Sequence, residues 1–186
     1  LYKVVILAVG GFCVTAAANI LNEVLEKDYD KLMSRTANRP LAAGRMEIST
    51  AVLMAGLISL IGITMLALFN PATALLGTIA LVSYAFMYTP MKRVSSAAVT
   101  VGAVAGALPT LIGCVAAEGR VSMLGVTLFA IQFLWQYTHF WSIAWLGFSD
   151  YQKAGYKFLP QQNGMISKSV GVQAFVFALV LIPLAF

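Results

Sequence analysis

The longest uncharged run in the chain places the strongest limit on its fold. Residues 48 to 91 contain no Asp, Glu, Lys or Arg. One membrane-spanning helix needs about 20 predominantly apolar residues, so the run is long enough for two. Asn70-Pro71 lies near its middle and favours a turn there. The run therefore predicts a tight hairpin of two helices in a lipid bilayer.

The composition extends this prediction to the whole chain. The 186 residues are 60% hydrophobic and only 10% charged, whereas soluble domains average about 25% charged residues. The apolar runs are continuous rather than alternating, which argues against barrel strands. We predict an all-α, polytopic transmembrane helical bundle. Its six predicted helices cover residues 1–30, 48–69, 72–89, 95–117, 121–147 and 168–186, within one integral-membrane domain over residues 1–186.

The basic residues indicate how the chain is oriented. The net charge is +5, but we expect no nucleic-acid partner, because the basic residues form short clusters between apolar runs. Ten of the 12 Lys and Arg residues lie in or beside the loops after the first, third and fifth predicted helices. They are Lys27, Lys31, Arg35, Arg39, Arg45, Lys92, Arg93, Lys153, Lys157 and Lys168. Basic loops favour the cytoplasmic side of a membrane.

The two ends of the sequence lead to two further expectations, about the length of the protein and about its location. The sequence does not begin with Met, and it starts and stops inside apolar runs. We therefore expect a piece of a longer protein. No targeting segment is present, which favours a bacterial cytoplasmic (inner) membrane as its location.

A stripe of amides and carboxylates follows one face of the first predicted helix. Asn22, Glu26 and Asp30 are spaced four apart, and each step advances about 40° around an α-helix. Asn19 joins the same face. Such oxygen ligands suit Mg²⁺, which binds a few carboxylates together with phosphate oxygens and water. The alternative is a solvated helix end whose acids pair with neighbouring lysines, and spacing alone leaves both open.

Two arginines follow the stripe within one loop. Arg35 and Arg39 stand shortly before Pro40. Guanidinium groups match phosphate oxygens with two parallel hydrogen bonds. Acids that hold Mg²⁺, followed by arginines that hold anions, predict a diphosphate site. The alternative is basic charge that serves membrane orientation alone.

Three stretches of the chain resemble one enzyme family. NEVLEKDYD, residues 22–30, resembles the NxxxDxxxD signature of the UbiA superfamily of intramembrane prenyltransferases, with Glu26 in place of the middle Asp. The longer stretches 16–46, 88–113 and 135–160 are similar to successive segments of the protohaem IX farnesyltransferase (haem O synthase) family. Within the third stretch, WQYTHF differs from the WQFPHF of many members at Thr138.

This resemblance implies a fold and a reaction. The family has nine transmembrane helices, of which this chain would hold the second to the seventh. The reaction joins the farnesyl group of farnesyl diphosphate to the vinyl group of haem B, with Mg²⁺ as cofactor, and water completes the product, haem O. The implied partners are haem B, farnesyl diphosphate and the lipid bilayer. Haem A synthase or a terminal-oxidase assembly would receive the product.

The resemblance also assigns roles to residues. The implied metal ligands are Asn22, Glu26 and Asp30. The implied diphosphate contacts are Asn22, Arg35, Arg39, Lys92, Asp150 and Lys153. The implied catalytic residues are Asn19, Arg35, Arg39 and His139. The wider superfamily often has two or three acids at fourfold spacing within its second motif. Here Ala154 and Phe158 follow Asp150 at that spacing, which argues against metal ligation at that end.

His139 and several aromatic residues have two interpretations each. His139 is the only histidine and lies in an apolar run. It would either bridge two helices by a hydrogen bond, or bind haem iron or move protons during water capture. Aromatic rings would shield a farnesyl cation, or else simply pack. The candidates for shielding are Tyr84, Phe86, Tyr88, Trp135, Tyr137 and Trp141.

Two other functions compete with farnesyl transfer to haem. The first is a UbiA-type enzyme that prenylates an aromatic quinone precursor, but WQYTHFWSIAW and NRPLAAGRM favour haem as the acceptor. A transporter or structural membrane subunit is a different class. Transporters place their polar residues near the bilayer midplane, whereas here these residues gather toward one end of the predicted helices.

Overall fold

The computed structural model describes residues 1–162 and 165–184 of the protein. Its helices are α1 (Tyr2–Asp30), α2 (Ile48–Ala67), α3 (Pro71–Val82), a π-helix (Ser83–Tyr88), α4 (Thr89–Met91), α5 (Ala98–Glu118), α6 (Met123–Leu146), α7 (Phe148–Lys153) and α8 (Ser169–Leu184). A short antiparallel ribbon, β1 (Gln161–Gln162) with β2 (Met165–Ile166), precedes α8. The predicted all-α class is confirmed.

Within residues 1–162 and 165–184, four helical segments are long and apolar enough to cross a membrane. They are α1, α2, the continuous stretch Pro71–Met91 and α5. Our prediction of six spanning helices also included α6 and α8. Helix α6 has 24 residues and carries the polar residues Gln132, Gln136 and His139 in its second half. The described part of α8 is apolar but has only 16 residues.

Helices α1 and α2 approach closely because one contact position carries no side chain. A Cβ atom on Gly62 would lie 2.9 Å from the Cβ of Cys13, the carbonyl oxygen of Gly10 and the backbone nitrogen of Val14. Small residues allow membrane helices to pack backbone against backbone. Gly62 therefore fixes the position of α1, the helix that carries the polar stripe.

Replacing Gly62 with alanine is expected to destabilise the protein by about 3 kcal/mol, the upper end of the range for overpacking. Two of the three crowded neighbours are backbone atoms, which do not move aside independently of their helix. Thermal unfolding of the detergent-solubilised protein measures the effect. Gly56→Ala is the matched control, because it lies on the same helix and its Cβ would have open space. Equal melting temperatures for the two variants would contradict this packing account.

The turn at Asn70-Pro71 is capped by the asparagine side chain. Asn70 Oδ1 accepts hydrogen bonds from the backbone nitrogen of Thr73 at 2.8 Å and from its hydroxyl at 3.0 Å. Pro71 occupies the first turn of α3, where its missing N–H costs little. Asn70 Nδ2 also donates to the carbonyl of Val115 at 3.0 Å, which joins the turn to the end of α5.

The helix predicted over residues 72–89 is interrupted by a π-helical turn at Ser83–Tyr88. Pro90 follows this turn and has no N–H to donate to the carbonyl four residues earlier, so a regular α-helical register is not maintained there. The hydroxyl of Thr89 donates to the carbonyl of Tyr84 at 2.9 Å within this segment. Such π turns occur frequently at functional sites, and this one carries Tyr84 and Tyr88.

Candidate functional site

The polar stripe of α1 is buried inside the helical bundle. Asn22, Glu26 and Asp30 are only 3%, 3% and 1% exposed. Glu26 Oε2 lies 2.9 Å from Lys92 Nζ, and Asp30 Oδ2 lies 2.9 Å from Arg39 Nη1. Asp30 therefore pairs with a cation of the loop that follows α1, and Glu26 with one that is 66 residues away, rather than with the neighbouring lysines. The alternative of a solvated helix end does not hold for these residues.

Acids outside the stripe behave differently. The Asp28 side chain is 81% exposed and pairs with Lys31 at 2.9 Å, as expected for a solvated pair. Glu23 Oε1 lies 3.9 Å from Arg39 Nε at the margin of the site. Spacing along α1 thus separates the buried carboxylates from the exposed one.

Asn22 links α1 to the segment after the π-helix. Its Nδ2 atom donates to Glu26 Oε2 at 2.8 Å and to the hydroxyl of Thr89 at 3.0 Å. The same Glu26 oxygen also accepts a hydrogen bond from Lys92, so two residues, Asn22 and Lys92, fix the orientation of that carboxylate.

Each buried carboxylate keeps one oxygen without a hydrogen-bond partner among the described residues. These atoms are Glu26 Oε1 and Asp30 Oδ1. A buried charged oxygen left unpaired is costly, which favours a ligand at that position. Two carboxylate oxygens suit Mg²⁺, whose remaining positions are commonly filled by phosphate oxygens and water. The described residues include no group of three His, Cys, Asp or Glu that would hold a metal alone, so the pair fits a metal shared with an anionic ligand.

A cavity of about 490 Å³, here called the polar cavity, opens beside the stripe. Its polar and aromatic lining includes Asn22, Arg35, Arg39, Tyr84, Tyr88 and Lys92. Arg39 and Lys92 are already paired with acids, whereas Arg35 makes no hydrogen bond or ion pair with the described residues. Arg35 thus brings an uncompensated positive charge to the cavity wall.

The charges of the two paired cations respond differently to their surroundings. Burial lowers the pKa of Lys92 from its usual value, and the charge of Glu26 opposes this effect without cancelling it. Burial also lowers the pKa of Arg39, but the hydrogen bond and charge of Asp30 outweigh it and raise that pKa overall. Arg39 therefore stays fully charged, while the charge on Lys92 depends on its ion pair with Glu26.

Apolar space continues from the polar cavity along α1. An inner apolar cavity of about 200 Å³ shares Tyr84 and Phe140 with the polar cavity. A terminal apolar cavity of about 220 Å³ shares Val14 and Thr15 with the inner one and reaches Leu7. Since an α-helix rises about 1.5 Å per residue, the row extends roughly 22 Å along α1 from Asn22. One cavity with charged lining and two apolar cavities thus lie in a row along α1.

Asn19 and Gln136 are the amides of the inner apolar cavity. Asn19 was predicted from the stripe and lies one turn deeper than Asn22. We did not predict Gln136, although an amide in an apolar run is itself a functional signal. Its Nε2 atom donates to the carbonyl of Gly106 at 3.3 Å, and a Cβ on Gly106 would come within 2.6 Å of that nitrogen. Because Gly106 has no side chain, the Gln136 amide can occupy the space beside it.

Among the described residues, Asp150 and Lys153 form no hydrogen bond or ion pair with the stripe, but Asp150 lines a cavity of about 290 Å³ together with Arg35. Asp150 Oδ2 accepts hydrogen bonds from the hydroxyl of Ser34 and, at 3.1 Å, from its backbone nitrogen. Lys153 Nζ lies 2.9 Å from Asp150 Oδ1. The bonds from Ser34 and then Lys153 lower the pKa of Asp150. Asp150 thus fastens the loop that carries Arg35 to α7.

His139 does not line any of the three cavities described above. Its side chain is exposed, and its ring stacks on Trp135 with centroids 4.6 Å apart. Phe140, the next residue, faces both the polar and the inner apolar cavity. The described residues therefore do not bring His139 together with the stripe.

Tyr156 is a buried residue close to Lys92 that the sequence did not predict, and it lines a cavity of about 580 Å³ that is distinct from the polar cavity. It is 5% exposed, and its hydroxyl has no hydrogen-bond partner among the described residues. Lys92 Nζ lies 5.8 Å from the centre of its ring. Nothing in the spacing of GYKFLP indicates burial, because Tyr156 belongs to an irregular segment after α7.

The whole chain, residues 1–186, matches the UbiA prenyltransferase family. A protein of Flavobacterium psychrophilum named protoheme IX farnesyltransferase is 43% identical over 179 residues, which are 96% of this chain and 59% of that protein. Its namesake from Flavobacterium johnsoniae is 48% identical over 159 residues, 86% of this chain and 53% of that protein. A third, from Cytophaga hutchinsonii, is 44% identical over 185 residues, 99% of this chain and 64% of that protein. The chain thus spans between half and two thirds of the length of these relatives.

The fold has a counterpart among solved structures. The apo structure of a UbiA homologue from Aeropyrum pernix K1 superposes with a TM-score of 0.80 at 23% sequence identity, covering 99% of this chain and 69% of that one. Together with the four long apolar helices and the match along the full chain, this likeness leads to one conclusion. The protein is an integral membrane protein that belongs to the UbiA prenyltransferase family.

Proposed function

We propose that the complete protein transfers the farnesyl group of farnesyl diphosphate to a vinyl group of haem B, giving haem O. The relatives named protoheme IX farnesyltransferase support this reaction and acceptor. One observation carries the proposal: Glu26 and Asp30 each have a buried oxygen without a hydrogen-bond partner among the described residues. These oxygens lie beside the polar cavity, whose wall includes Arg35, which has no ion-pair partner there either.

The balance of charge supports a diphosphate that arrives with a metal. Glu23, Glu26 and Asp30 face Arg39 and Lys92, and Arg35 adds a third cation, so the cluster is close to neutral without a ligand. A diphosphate alone would add several negative charges to a partly buried site, which is unfavourable in low dielectric. A divalent cation at the free oxygens of Glu26 and Asp30 would offset that charge.

Glu26 and Asp30 would hold Mg²⁺, and Asn22 is proposed as a third ligand. The bound ion would stabilise the negative charge that grows on the diphosphate as it leaves. Arg35 would bind the phosphate oxygens directly, because its guanidinium is free. Arg39 and Lys92 would neutralise the leaving group from the positions that their ion pairs fix.

The bond changes balance without a further reactant besides water. The C–O bond of farnesyl diphosphate breaks, and its electron pair leaves with the diphosphate. The π electrons of the haem vinyl group form the new C–C bond, which leaves a carbocation beside the porphyrin ring. Water adds to that carbon and loses a proton. Both cations must be kept from other nucleophiles in the meantime.

Aromatic rings line the polar cavity, in which the farnesyl cation would form when the diphosphate leaves. Of the six aromatic candidates, Tyr84 and Tyr88 line the polar cavity, with ring centres 5.4 Å apart. Phe140 joins them and also faces the inner apolar cavity. Their faces would stabilise an allylic cation. The apolar cavities beyond them would take the farnesyl chain, and Asn19 lies at that boundary.

The remaining roles are proposals about the complete protein. The basic loops suggest that the site faces the cytoplasm, in a bacterial inner membrane. Haem A synthase or a terminal-oxidase assembly would receive haem O. We keep His139 as a proposed haem or proton-transfer residue, since its exposed face on α6 remains open to a second substrate. Asp150 and Lys153, proposed as diphosphate contacts, would act through the loop that Asp150 holds.

The identity of the acceptor is tested by supplying two candidate acceptors in separate reactions. Membranes that contain the complete protein are incubated with farnesyl diphosphate, Mg²⁺ and either haem B or 4-hydroxybenzoate, and the products are identified by mass spectrometry. We expect farnesylated haem carrying one added water, and no prenylated benzoate. Prenylation of 4-hydroxybenzoate alone would replace haem with an aromatic quinone precursor as the acceptor.

A further inference from the structure

The terminal apolar cavity lies at the far end of the row from the polar cavity. Its volume is about 220 Å³, and the residues that line it, from α1, α2, α3 and α5, include none that is charged. An apolar cavity of about 150 Å³ is already large enough to bind benzene. The terminal apolar cavity therefore has room for the five carbons of one isoprene unit and surrounds them with apolar walls.

Gly11 lies on the wall of this cavity and on the same face of α1 as the polar stripe. Eleven residues separate it from Asn22, and eleven steps of about 100° return to within about 20° of the same direction. Thr15, seven residues from Asn22, lies on this face too and lines both apolar cavities. The face that carries the polar stripe thus continues, about three turns deeper, as a wall of the terminal apolar cavity.

Two glycines on different helices leave this cavity open. A Cβ atom on Gly11 of α1 or on Gly113 of α5 would meet no other atom within 4 Å, and both residues line the cavity. Gly10 behaves differently, because its Cβ would lie 3.1 Å from the Cβ of Met65 on α2. Close helix packing therefore explains a glycine at position 10 but not at position 11, where a larger side chain would have room in the cavity.

The length of the row relates the terminal apolar cavity to the number of isoprene units in the donor. Each unit adds four backbone carbons, which span about 5 Å when extended. At about 1.5 Å per residue along α1, two units reach about seven residues from Asn22, to the level of Thr15, and three units reach about ten residues, to the level beside Gly11. The third unit of a farnesyl chain would therefore occupy the terminal apolar cavity, whereas a geranyl chain would end before it.

We propose that Gly11 is a specificity-determining residue for the length of the prenyl donor. Because Gly11 has no side chain, the terminal apolar cavity stays open for the third isoprene unit, and the protein prefers farnesyl diphosphate to the shorter geranyl diphosphate. This inference rests on the proposed function, which supplies the prenyl diphosphate, but it does not depend on the acceptor. Gly11 lies outside the lining of the polar cavity and so acts on the chain and not on the diphosphate.

Gly11→Leu in the complete protein tests this assignment. Membranes receive equal concentrations of farnesyl and geranyl diphosphate with Mg²⁺ and haem B, and mass spectrometry gives the ratio of the two products. This ratio reports the donor preference and does not depend on how much of the protein is folded. We expect the unmutated protein to favour farnesyl at least about tenfold, and Gly11→Leu to shift the ratio about a hundredfold toward geranyl, because one methylene in an apolar pocket already changes specificity about 10- to 200-fold.

Two further variants accompany this test. Gly113→Leu fills the same cavity from α5 and should shift the ratio in the same direction, so it replaces Gly11→Leu if that variant does not fold. Gly56→Leu is the matched control, because its Cβ would also have open space but it lines none of the three cavities. Its product ratio should equal that of the unmutated protein.

Three results would overturn the assignment. They are an unmutated protein with no donor preference, an unchanged ratio in both cavity variants, and the loss of both products from a variant that keeps its melting temperature, because a geranyl chain should still fit. If the unmutated protein prenylates 4-hydroxybenzoate in place of haem B, the same ratio is measured on that acceptor. If it transfers neither group to either acceptor, the proposed function fails and this inference fails with it.

Discussion

Asp30→Asn is expected to reduce farnesyl transfer by about a hundredfold to a thousandfold, the range seen when one group that stabilises developing charge is removed. Asp30 is 1% exposed, and its Oδ1 atom, which has no partner among the described residues, is one of the proposed metal ligands. Asparagine has nearly the same shape and keeps one oxygen to accept the hydrogen bond from Arg39. The variant therefore removes the negative charge while leaving the packing in place. Product formation at saturating Mg²⁺ measures the loss.

Asp28→Asn is the control for this experiment, because it makes the same chemical change on the same helix at an exposed position. It should retain full activity. Near-normal turnover in Asp30→Asn, or an equal loss in both variants, would contradict a catalytic function for the buried stripe. Melting temperatures of the two variants show whether a loss of activity reflects unfolding instead.

Lys92→Met is expected to destabilise the protein by about 3–5 kcal/mol, the cost of leaving a buried charge without its partner. Glu26 is 3% exposed, and Lys92 is the only cation within ion-pair distance of it among the described residues. Methionine matches the length of the lysine side chain but brings no charge. Chemical or thermal unfolding in detergent measures the change, and Lys31→Met, at an exposed position, is the control.

The double variant Glu26→Gln with Lys92→Met tests the reason for that loss. Removing both charges leaves no buried charge uncompensated, so most of the stability should return. Transfer activity should not return, because a metal ligand and a cation are both absent. A double variant as unstable as Lys92→Met alone would show that Lys92 contributes through packing rather than through its ion pair.

Regular spacing allowed part of the site to be anticipated. Asn22, Glu26 and Asp30 share a face because fourfold spacing on a helix fixes their relative directions. The cations that pair with these acids could not be predicted from spacing. The Glu26–Lys92 pair joins positions 66 residues apart, and a contact of that kind depends on how α1 and the segment after the π-helix pack. The family resemblance suggested Lys92, but it did not pair the residue with Glu26.

The other features that the sequence did not predict lie where the backbone departs from regular secondary structure. Pro90 displaces the preceding turn into a π-helix, which a periodic pattern does not foresee. Asp150 binds Ser34 across 116 positions of sequence, so its neighbours along the chain gave no indication of that bond. Tyr156 lies in an irregular segment, where no helical or strand period predicts burial. The all-α fold and the family were confirmed, whereas the catalytic roles stay predictions.

Binding of an uncleavable substrate analogue tests the central claim most directly. In farnesyl thiodiphosphate, sulfur replaces the oxygen that joins the farnesyl carbon to the diphosphate. This analogue is titrated into the complete protein with Mg²⁺ and again with EDTA. The account predicts binding with Mg²⁺, a large loss with EDTA, and a similar loss in Asp30→Asn at saturating Mg²⁺. Binding that is equally tight with EDTA, and unaffected by Asp30→Asn, would show that the buried carboxylates of α1 do not hold a metal-bound diphosphate.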